Sequence, residues 1–307
     1  MSALDSLCTP QTACALLLAL FFPAVLYRKS PVFSERLWAN TNVRPPVLLT
    51  KGALYPDGII MDFVRDFRIH GVSRFTTEAS IREYAEQLTW VHPVQLTPTY
   101  TAKGEWQPDR GFHIPNTLQG KSFLDIGAWD GYYTFLAEER RASSVTAVDF
   151  CCWGGTETGV PEKPGVTGGS CCWANGTTFQ LAHTVRRSQA RAIRINVYDL
   201  TPEIVGEHDV VLFAGVLYHL RYPFLALTRV ASVTRSMLIV ETVDNPEIEE
   251  QKPLMLFYPG KDLNNDPTNW YSINRRALVS MLEVLGFVRF EEKPTQHGRY
   301  VLHAFKP

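Results

Sequence analysis

Residues 123–131 read Phe123-Leu124-Asp125-Ile126-Gly127-Ala128-Trp129-Asp130-Gly131, an apolar run that leads into a turn with two glycines. The apolar run predicts a buried strand, and glycine permits both the turn and a close approach of the backbone to a ligand. We expect Gly127, Trp129 and Gly131 to form one wall of a binding cleft. Asp125, at the end of the strand, would orient the loop or receive an ammonium group of the ligand.

Downstream of this turn, short apolar runs alternate with helical segments. We predict strands at 122–126, 144–148, 192–197, 209–214 and 237–242, separated by helices at 132–141, 178–188 and 223–233. Such alternation is typical of a parallel sheet with crossover helices. A last helix at 275–285 precedes two hairpin-like strands at 287–292 and 300–305. The predicted fold is therefore α/β and Rossmann-like, with a mostly parallel seven-stranded sheet and an antiparallel carboxyl-terminal strand.

Two further acids follow predicted strands of the same sheet. The run Val145-Thr146-Ala147-Val148-Asp149 ends in a carboxylate 24 positions after Asp125, near the ~20-residue spacing at which dinucleotide folds place their ribose acceptor. The run Asn196-Val197-Tyr198-Asp199-Leu200 supplies Asp199, which would accept a hydrogen bond from an adenine amino group, while Leu200 packs near the base. These strand ends together predict one adenosine pocket.

The fourth predicted strand leads into Gly215-Val216-Leu217-Tyr218-His219, in a loop that should face the reacting group. With the glycine turn and the strand-end acids, this segment resembles class I S-adenosylmethionine-dependent methyltransferases. Within that class the chain is similar to the tRNA wobble-uridine carboxymethyltransferase group, which the run Asp266-Pro267-Thr268-Asn269-Trp270 also resembles. The resemblance covers about residues 118–305, and an antiparallel pair of strands at the end of the sheet is usual in this class.

The resemblance implies S-adenosylmethionine as the cofactor. It matches residues 125–131 to the family's first motif, Asp149 to its ribose acid, Asp199 to its adenine acid and Gly215 to the start of its loop segment. Trp129 stands in place of the usual central glycine of the first motif. No lysine suited to a carboxylated cofactor can be placed, so plain S-adenosylmethionine is the expected cofactor.

The reaction that the resemblance implies is an in-line displacement at the methyl carbon, for which the protein mainly aligns the two reactants. If the acceptor is a hydroxyl, His219 is a candidate base, because histidine titrates near neutral pH. Tyr218 would position the acceptor or the cofactor. Both side chains have an alternative interpretation as packing residues of the loop.

Residues 1–117 differ in pattern from the remainder, and we expect an accessory or cap region there, followed by a cofactor-binding domain at 118–307. The first region contains an almost wholly apolar run from Ala13 to Tyr27. It is shorter than the ~20 residues of a membrane span and contains Pro23, which would kink a helix. We expect a docking or partly buried helix in a cytoplasmic protein, with a membrane anchor as the alternative. The sequence leaves the oligomeric state open.

The charge balance bears on the methyl acceptor. Thirty Lys plus Arg against thirty-one Asp plus Glu give a net charge of −1, so no global field attracts nucleic acid. A tRNA acceptor would need a basic surface, which the chain offers only locally, around Arg186, Arg187, Arg191 and Arg194. A small-molecule or lipid-linked acceptor agrees better with this neutrality. Both kinds of acceptor remain open at this point.

The six cysteines include two adjacent pairs, Cys151-Cys152 and Cys171-Cys172. Adjacent cysteines lack the two-residue gap with which paired thiolates chelate zinc, so no metal site is expected. A disulfide within this loop is left open. The Asn175-Gly176-Thr177 sequon matters only outside the cytoplasm.

Two other functions compete with methyl transfer. An NAD-dependent oxidoreductase would use a similar glycine turn, but the Gly-x-Gly-x-x-Gly order is missing from residues 125–131. A catalytically silent adenosyl-binding scaffold would need the same pocket without the reaction. The sequence weakens the first alternative and leaves the second open.

Overall fold

The computed structural model describes residues 59–65, 75–105, 112–153, 176–244, 251–295 and 298–307. The predictions for the apolar run at 13–27, for the sequon at Asn175 and for the pair Cys171-Cys172 lie outside these residues. Within the described ranges, no helix has the length and apolar character needed to cross a membrane.

A seven-stranded sheet forms the centre of the fold. Its strands are β3 Ser122–Ile126, β4 Ser144–Asp149, β5 Arg191–Arg194, β6 His208–Ala214, β7 Thr234–Val243, β10 Arg289–Lys293 and β11 Arg299–Phe305. They lie side by side in the order β10-β11-β7-β6-β3-β4-β5. Neighbouring strands are parallel from β5 to β7, and β11 is antiparallel to both β7 and β10. The predicted fold class is therefore confirmed, including the single antiparallel strand near the carboxyl terminus.

Helices connect these strands. They are α1 Glu78–Ala85, α2 Tyr132–Glu139, α3 Thr177–Val185, α4 Pro202–Val205, α5 Pro223–Ser232 and α6 Arg275–Val284, with 3-10 turns at Val197–Asp199 and Leu217–His219. Two small antiparallel hairpins were not predicted from the sequence. They pair β1 Val94–Thr97 with β2 Tyr100–Ala102, and β8 Met255–Phe257 with β9 Tyr271–Ile273.

Both faces of the sheet are covered. Phe123 and Leu124 are neighbours on β3 and both have no exposed surface, yet they belong to different apolar clusters. Successive side chains of a strand point to opposite faces, so each of these residues fills the core on its own side. Burial on both faces explains why the central strands are continuous apolar runs rather than alternating ones.

The prediction of a strand at 192–197 is wrong at its carboxyl end. Strand β5 stops at Arg194, and a 3-10 turn at Val197–Asp199 follows. The side chain of Asn196 caps this turn by accepting a hydrogen bond from Tyr198 N at 3.1 Å. Asparagine side chains compete in this way with the hydrogen bonds of a sheet. Asp199 therefore lies in this 3-10 turn and not at the end of a strand.

A segment upstream of residue 118 also contacts the sheet. Ile60 and Arg194 exchange two backbone hydrogen bonds of 2.9 Å, and Phe63 N donates to Ala192 O at 2.9 Å. Residues 59–63 therefore lie along the outer edge of β5. The domain boundary at 117/118 stays a prediction.

Candidate functional site

The turn after β3 is held by backbone hydrogen bonds. Gly127 N and Ala128 N both donate to Val148 O, at 2.9 and 3.1 Å, and Gly131 N donates to Ala128 O at 2.7 Å. Gly127 has a φ of +82°, and a Cβ at this position would lie 2.4 Å from Val216 Cγ2. Because a side chain has no room there, the turn packs directly against the loop that follows β6.

Asp149 is the last residue of β4 and is hydrogen-bonded to the same turn. Its Oδ2 accepts from Trp129 N at 3.0 Å, and its Oδ1 accepts from Cys152 N at 3.0 Å. The side chain is buried. Burial raises the pKa of Asp149 to about 6, against the opposing effect of backbone donors that include Trp129 and Cys152. The structure thus places the predicted ribose acid beside the glycine turn, in a fixed orientation.

The segment after Asp149 packs on Trp129. Trp153 Nε1 donates to Trp129 O at 2.7 Å, and the buried Trp153 ring stacks on Phe63 at 4.5 Å between centroids. Trp129 itself has a φ of +48°. Cys151 is disulfide-bonded, whereas Cys152 is not part of a disulfide. One half of a disulfide therefore lies two residues beyond Asp149, and a disulfide within the loop stays a prediction.

Asp125 lies under the turn, one residue before the end of β3. Its carboxyl group is buried and accepts a hydrogen bond from Thr134 Oγ1, on α2, at 2.6 Å. Burial raises the pKa of Asp125 to about 7, and the charge of Asp149 adds to this increase, while Thr134 and His92 oppose it. The two carboxyl groups are thus close enough to interact. The observed hydrogen bond of Asp125 is with Thr134 on α2, and both predicted roles, orienting the loop and receiving an ammonium group, stay predictions.

Asp130, inside the glycine turn, has a role that the sequence did not reveal. It has no exposed surface and accepts hydrogen bonds from Val91 N, His92 N and His92 Nδ1 at 2.9, 2.7 and 2.9 Å. Three donors satisfy a buried carboxylate that would otherwise be costly. The turn is therefore tied to residues 91–92, and no local pattern signals a contact across 38 positions.

The two positions expected to bind adenine differ in exposure. Asp199 lies in the 3-10 turn and is exposed, whereas Leu200 has no exposed surface and belongs to the apolar core beside α4 and α5. In the pairing of β4 with β5, Asp149 lies opposite Arg194, the last residue of β5. Asp199 follows five residues later, so it lies beyond the same edge of the sheet as Asp149. Its contact with a base stays a prediction.

The loop after β6 is anchored by an ion pair between a buried carboxylate and a partly buried guanidinium. Gly215 has a φ of +72°, and its N–H donates to Glu241 Oε2 at 2.7 Å. Arg299 Nε lies 2.9 Å from Glu241 Oε1, and an Arg299 Nη atom donates to the hydroxyl of Tyr218 at 2.7 Å. Tyr218 is buried in this network. Sequence reasoning missed Glu241, although a charge inside the apolar run of β7 signals a buried partner.

His219 ends the 3-10 turn Leu217–His219 and is partly exposed. Its Nδ1 lies 2.9 Å from Thr268 Oγ1 and 3.3 Å from Thr268 O. Its ring centroid is 4.2 Å from that of Tyr218. The predicted base is therefore fixed by a residue from the segment between β8 and β9, which the sequence did not suggest.

The structure brings the glycine turn, Asp149 and the Gly215 loop together at the carboxyl edge of β3, β4 and β6. Ligands of open α/β sheets bind at this edge. Among the residues that the structure describes, no group of three or more His, Cys, Asp or Glu side chains could hold a metal ion. The site therefore offers carboxylates, a histidine and close backbone approach.

Comparison with solved structures bears on the fold. A structure of the N-terminal domain of EvdMO1, in the presence of SAH and D-fucose, has a TM-score of 0.54 and 18% identity, and the match covers 76% of this chain and 99% of that one. The same domain with SAH bound gives 0.52 and 17% over the same shares. The fold is thus the Rossmann-like fold of class I methyltransferases. Neither structure supports the resemblance to the tRNA wobble-uridine group.

The sequence itself matches no protein-family model and no curated protein.

Proposed function

We propose that this chain is an S-adenosylmethionine-dependent methyltransferase that acts on a hydroxyl group of a small molecule. The observation that carries the proposal is the carboxylate of Asp149. It is held at the end of β4 by Trp129 N, directly beside Gly127. A carboxylate has about four acceptor positions, so the donors from Trp129 and Cys152 orient it and leave capacity for a ribose hydroxyl. The residues present thus fit an adenosyl group.

The glycine turn also helps to separate this cofactor from NAD. The N–H groups of Gly127, Ala128, Trp129 and Gly131 all donate within the protein. A dinucleotide fold uses such groups, with the helix start, to bind its pyrophosphate. Because these four donors are engaged here, a ligand without a pyrophosphate fits the turn better. The SAH in the EvdMO1 structures of similar fold supports the same choice.

When bound, S-adenosylmethionine supplies a methyl group on a positively charged sulfur. The chain's own contribution is to align the acceptor oxygen with that methyl carbon and to remove the acceptor proton. His219, in the loop after β6, is the residue placed to receive this proton. Tyr218, whose hydroxyl accepts a hydrogen bond from Arg299, orients the loop. Carboxylates and backbone groups hold the cofactor without taking part in the transfer.

A small-molecule acceptor agrees with three observations. The net charge of −1 gives no general attraction to nucleic acid. The backbone N–H of Trp270 donates to the backbone oxygen of Tyr218, the residue before the candidate base, at 2.8 Å. The Trp270 ring lies 4.9 Å, measured from its centroid, from the Arg221 guanidinium. Aromatic side chains with a few polar groups are typical of small-molecule pockets. In addition, an EvdMO1 structure of similar fold was obtained in the presence of D-fucose, a molecule with several hydroxyl groups.

Isothermal titration calorimetry with SAH and with NAD tests the cofactor. We expect binding of SAH and much weaker binding of NAD, and a preference for NAD would end the methyltransferase proposal. A second experiment then identifies the acceptor. The protein and methyl-labelled S-adenosylmethionine are incubated with RNA and small-molecule fractions of a cell extract. Label in the small-molecule fraction is the expected result. Label in RNA would favour the tRNA alternative, and label in neither would favour a silent scaffold.

A further inference from the structure

Three side chains form a hydrogen-bonded chain that ends on the candidate base. Asp266 Oδ1 accepts from Thr268 Oγ1 at 2.7 Å and from Thr268 N at 2.8 Å. Thr268 Oγ1 in turn lies 2.9 Å from His219 Nδ1. We call these residues the Asp266–Thr268–His219 chain. Its members are 49 positions apart along the sequence at their widest contact, so it exists only in the folded protein.

The number of protons in this chain determines the direction of each bond. A carboxylate accepts only, and a threonine hydroxyl has one proton to donate. That proton goes to Asp266, so the bond between His219 Nδ1 and Thr268 Oγ1 must be donated by the histidine. The backbone oxygen of Thr268, 3.3 Å from the same Nδ1, also accepts only. In the neutral ring of His219, the proton is therefore on Nδ1 and the lone pair is on Nε2.

We propose that Thr268 and Asp266 are positioning residues that hold His219 in the tautomer whose basic atom is Nε2. The inference rests on the proposed function, because a hydroxyl acceptor must lose a proton and an acceptor without such a proton needs no base. The acceptor O–H gives its proton to Nε2 while the oxygen–carbon bond forms. The carbon–sulfur bond breaks at the same time, and its electron pair stays on sulfur. The charge of Asp266 then stabilises the imidazolium through the Thr268 hydroxyl.

The surrounding contacts make the orientation of the ring definite. The His219 ring packs against the Tyr218 ring, with centroids 4.2 Å apart. Trp270 N donates to Tyr218 O at 2.8 Å, which holds residues 266–270 against the turn that carries His219. The ring is thus fixed by packing on one side and by its Nδ1 proton on the other. Preorganisation of this kind reduces the cost of reaching the reactive geometry.

The test is the tautomer of His219 in the full chain, measured by long-range proton–nitrogen NMR after labelling of histidine with nitrogen-15. The signals of His219 are identified by their loss in His219→Gln. We expect a protonated Nδ1 and an unprotonated Nε2 in the unaltered protein at a pH where the ring is neutral. The opposite tautomer would overturn the proposal without any variant.

Two substitutions at one position then test the role of Thr268. Thr268→Val removes the hydroxyl at similar size, and we expect a mixture of tautomers or the reverse one. Thr268→Ser retains the hydroxyl and should keep the original tautomer. An unchanged tautomer in Thr268→Val shows that the hydroxyl of Thr268, and with it Asp266, does not position the ring. If Thr268→Val does not fold, Asp266→Ala replaces it, because the freed hydroxyl proton can then be donated to Nδ1.

These spectra are recorded without cofactor or acceptor, so the two proposals fail separately. The wrong tautomer rejects the Asp266–Thr268–His219 chain as a positioning device. Absence of SAH binding in calorimetry rejects the methyltransferase.

Discussion

The carboxylate of Asp149 and the backbone N–H of Trp129 are joined by a hydrogen bond of 3.0 Å. Asp149 ends β4, and Trp129 belongs to the turn that follows β3, the neighbouring strand. The acid and the turn therefore keep one relative position, which a ligand across both strand ends requires. A bond between a carboxylate and a backbone donor is stronger than a neutral one, so this link should tolerate the entry of a ligand.

Replacement of Asp149 by asparagine should weaken cofactor binding. Both carboxylate oxygens accept N–H groups, and an amide nitrogen in place of either oxygen would face a donor. The variant also loses the charge that would attract the ribose hydroxyls. Loss of a hydrogen bond to a charged group costs about 1.5–3 kcal/mol, which corresponds to roughly a 10- to 150-fold lower affinity. Calorimetry with SAH measures the change.

The matched control is Asp209→Asn. Asp209 also accepts from a backbone donor, Ser122 N, at 2.8 Å, but it lies at the opposite end of the sheet, near the start of β6. This variant should lose stability and retain its affinity for SAH. If Asp149→Asn binds SAH as tightly as the unaltered protein, Asp149 is not the ribose acceptor.

A side chain at Gly127 should destabilise the protein more than one at Gly120. Both glycines have positive φ, +82° and +75°, but a Cβ at Gly127 would clash with Val216 whereas one at Gly120 meets nothing within 4 Å. The backbone conformation alone costs about 1–2 kcal/mol for alanine. The clash adds about 1–3 kcal/mol in Gly127→Ala. Urea denaturation of both variants gives the difference.

Val216→Ala combined with Gly127→Ala checks the cause of that difference. Removal of the valine methyl groups should relieve the clash and bring the cost of Gly127→Ala close to that of Gly120→Ala. Equal costs for Gly127→Ala and Gly120→Ala would mean that the turn does not pack on the loop after β6.

The elevated pKa of Asp125 predicts a dependence of stability on pH. Its carboxyl group has a pKa of about 7 in the folded protein, against an ordinary value of 3.8. The folded state therefore binds this proton more tightly, and the free energy of unfolding should fall as pH rises from about 4 to about 7. Asp125→Asn imitates the protonated carboxyl group, so its free energy of unfolding should lack this decrease with rising pH. Relative to the unaltered protein it should gain up to about 4 kcal/mol across that range.

Urea denaturation at several pH values, performed on both proteins, separates Asp125 from the titrating groups that do not interact with it. Asp209 contributes in the opposite direction, since its pKa is lowered to about 2, but it does so in both proteins. Parallel pH profiles would show that Asp125 titrates normally.

The sequence predicted the central strands well, because residues such as Phe123 and Leu124 are buried on both faces and leave a continuous apolar run. It also predicted the glycine turn, since few residue types accept its geometry. The end of β5 was missed because a side-chain cap on Asn196 replaced the sheet hydrogen bonds. Such competition is decided by local geometry rather than by hydrophobic pattern.

The contacts that complete the candidate site were beyond sequence reasoning for a different reason. His92 binds Asp130 across 38 positions, and Thr268 binds His219 across 49. Pairs of this kind have no periodicity, and each residue type is common on protein surfaces. Only the arrangement of the strands brings them together. Hence the sequence alone suggests His219 as a candidate base, but it does not reveal the groups that orient this side chain.

The ion pair between Glu241 and Arg299 should be coupled to the stability of the fold. Glu241 is 1% exposed, lies 2.9 Å from Arg299 Nε, and accepts from Gly215 N at 2.7 Å. Glu241→Gln keeps the shape but leaves the partly buried guanidinium of Arg299 without its carboxylate partner. Loss of one member of a fully buried pair typically costs about 3–5 kcal/mol, and the partial exposure of Arg299 should bring the cost below that range. Arg299→Met in the same chain removes the unpaired charge, so the double variant should recover part of this loss.

Urea denaturation of the two single variants and the double variant forms a thermodynamic cycle. Additive losses would show that the two charges do not stabilise each other, and the loop at Gly215 would then need another anchor.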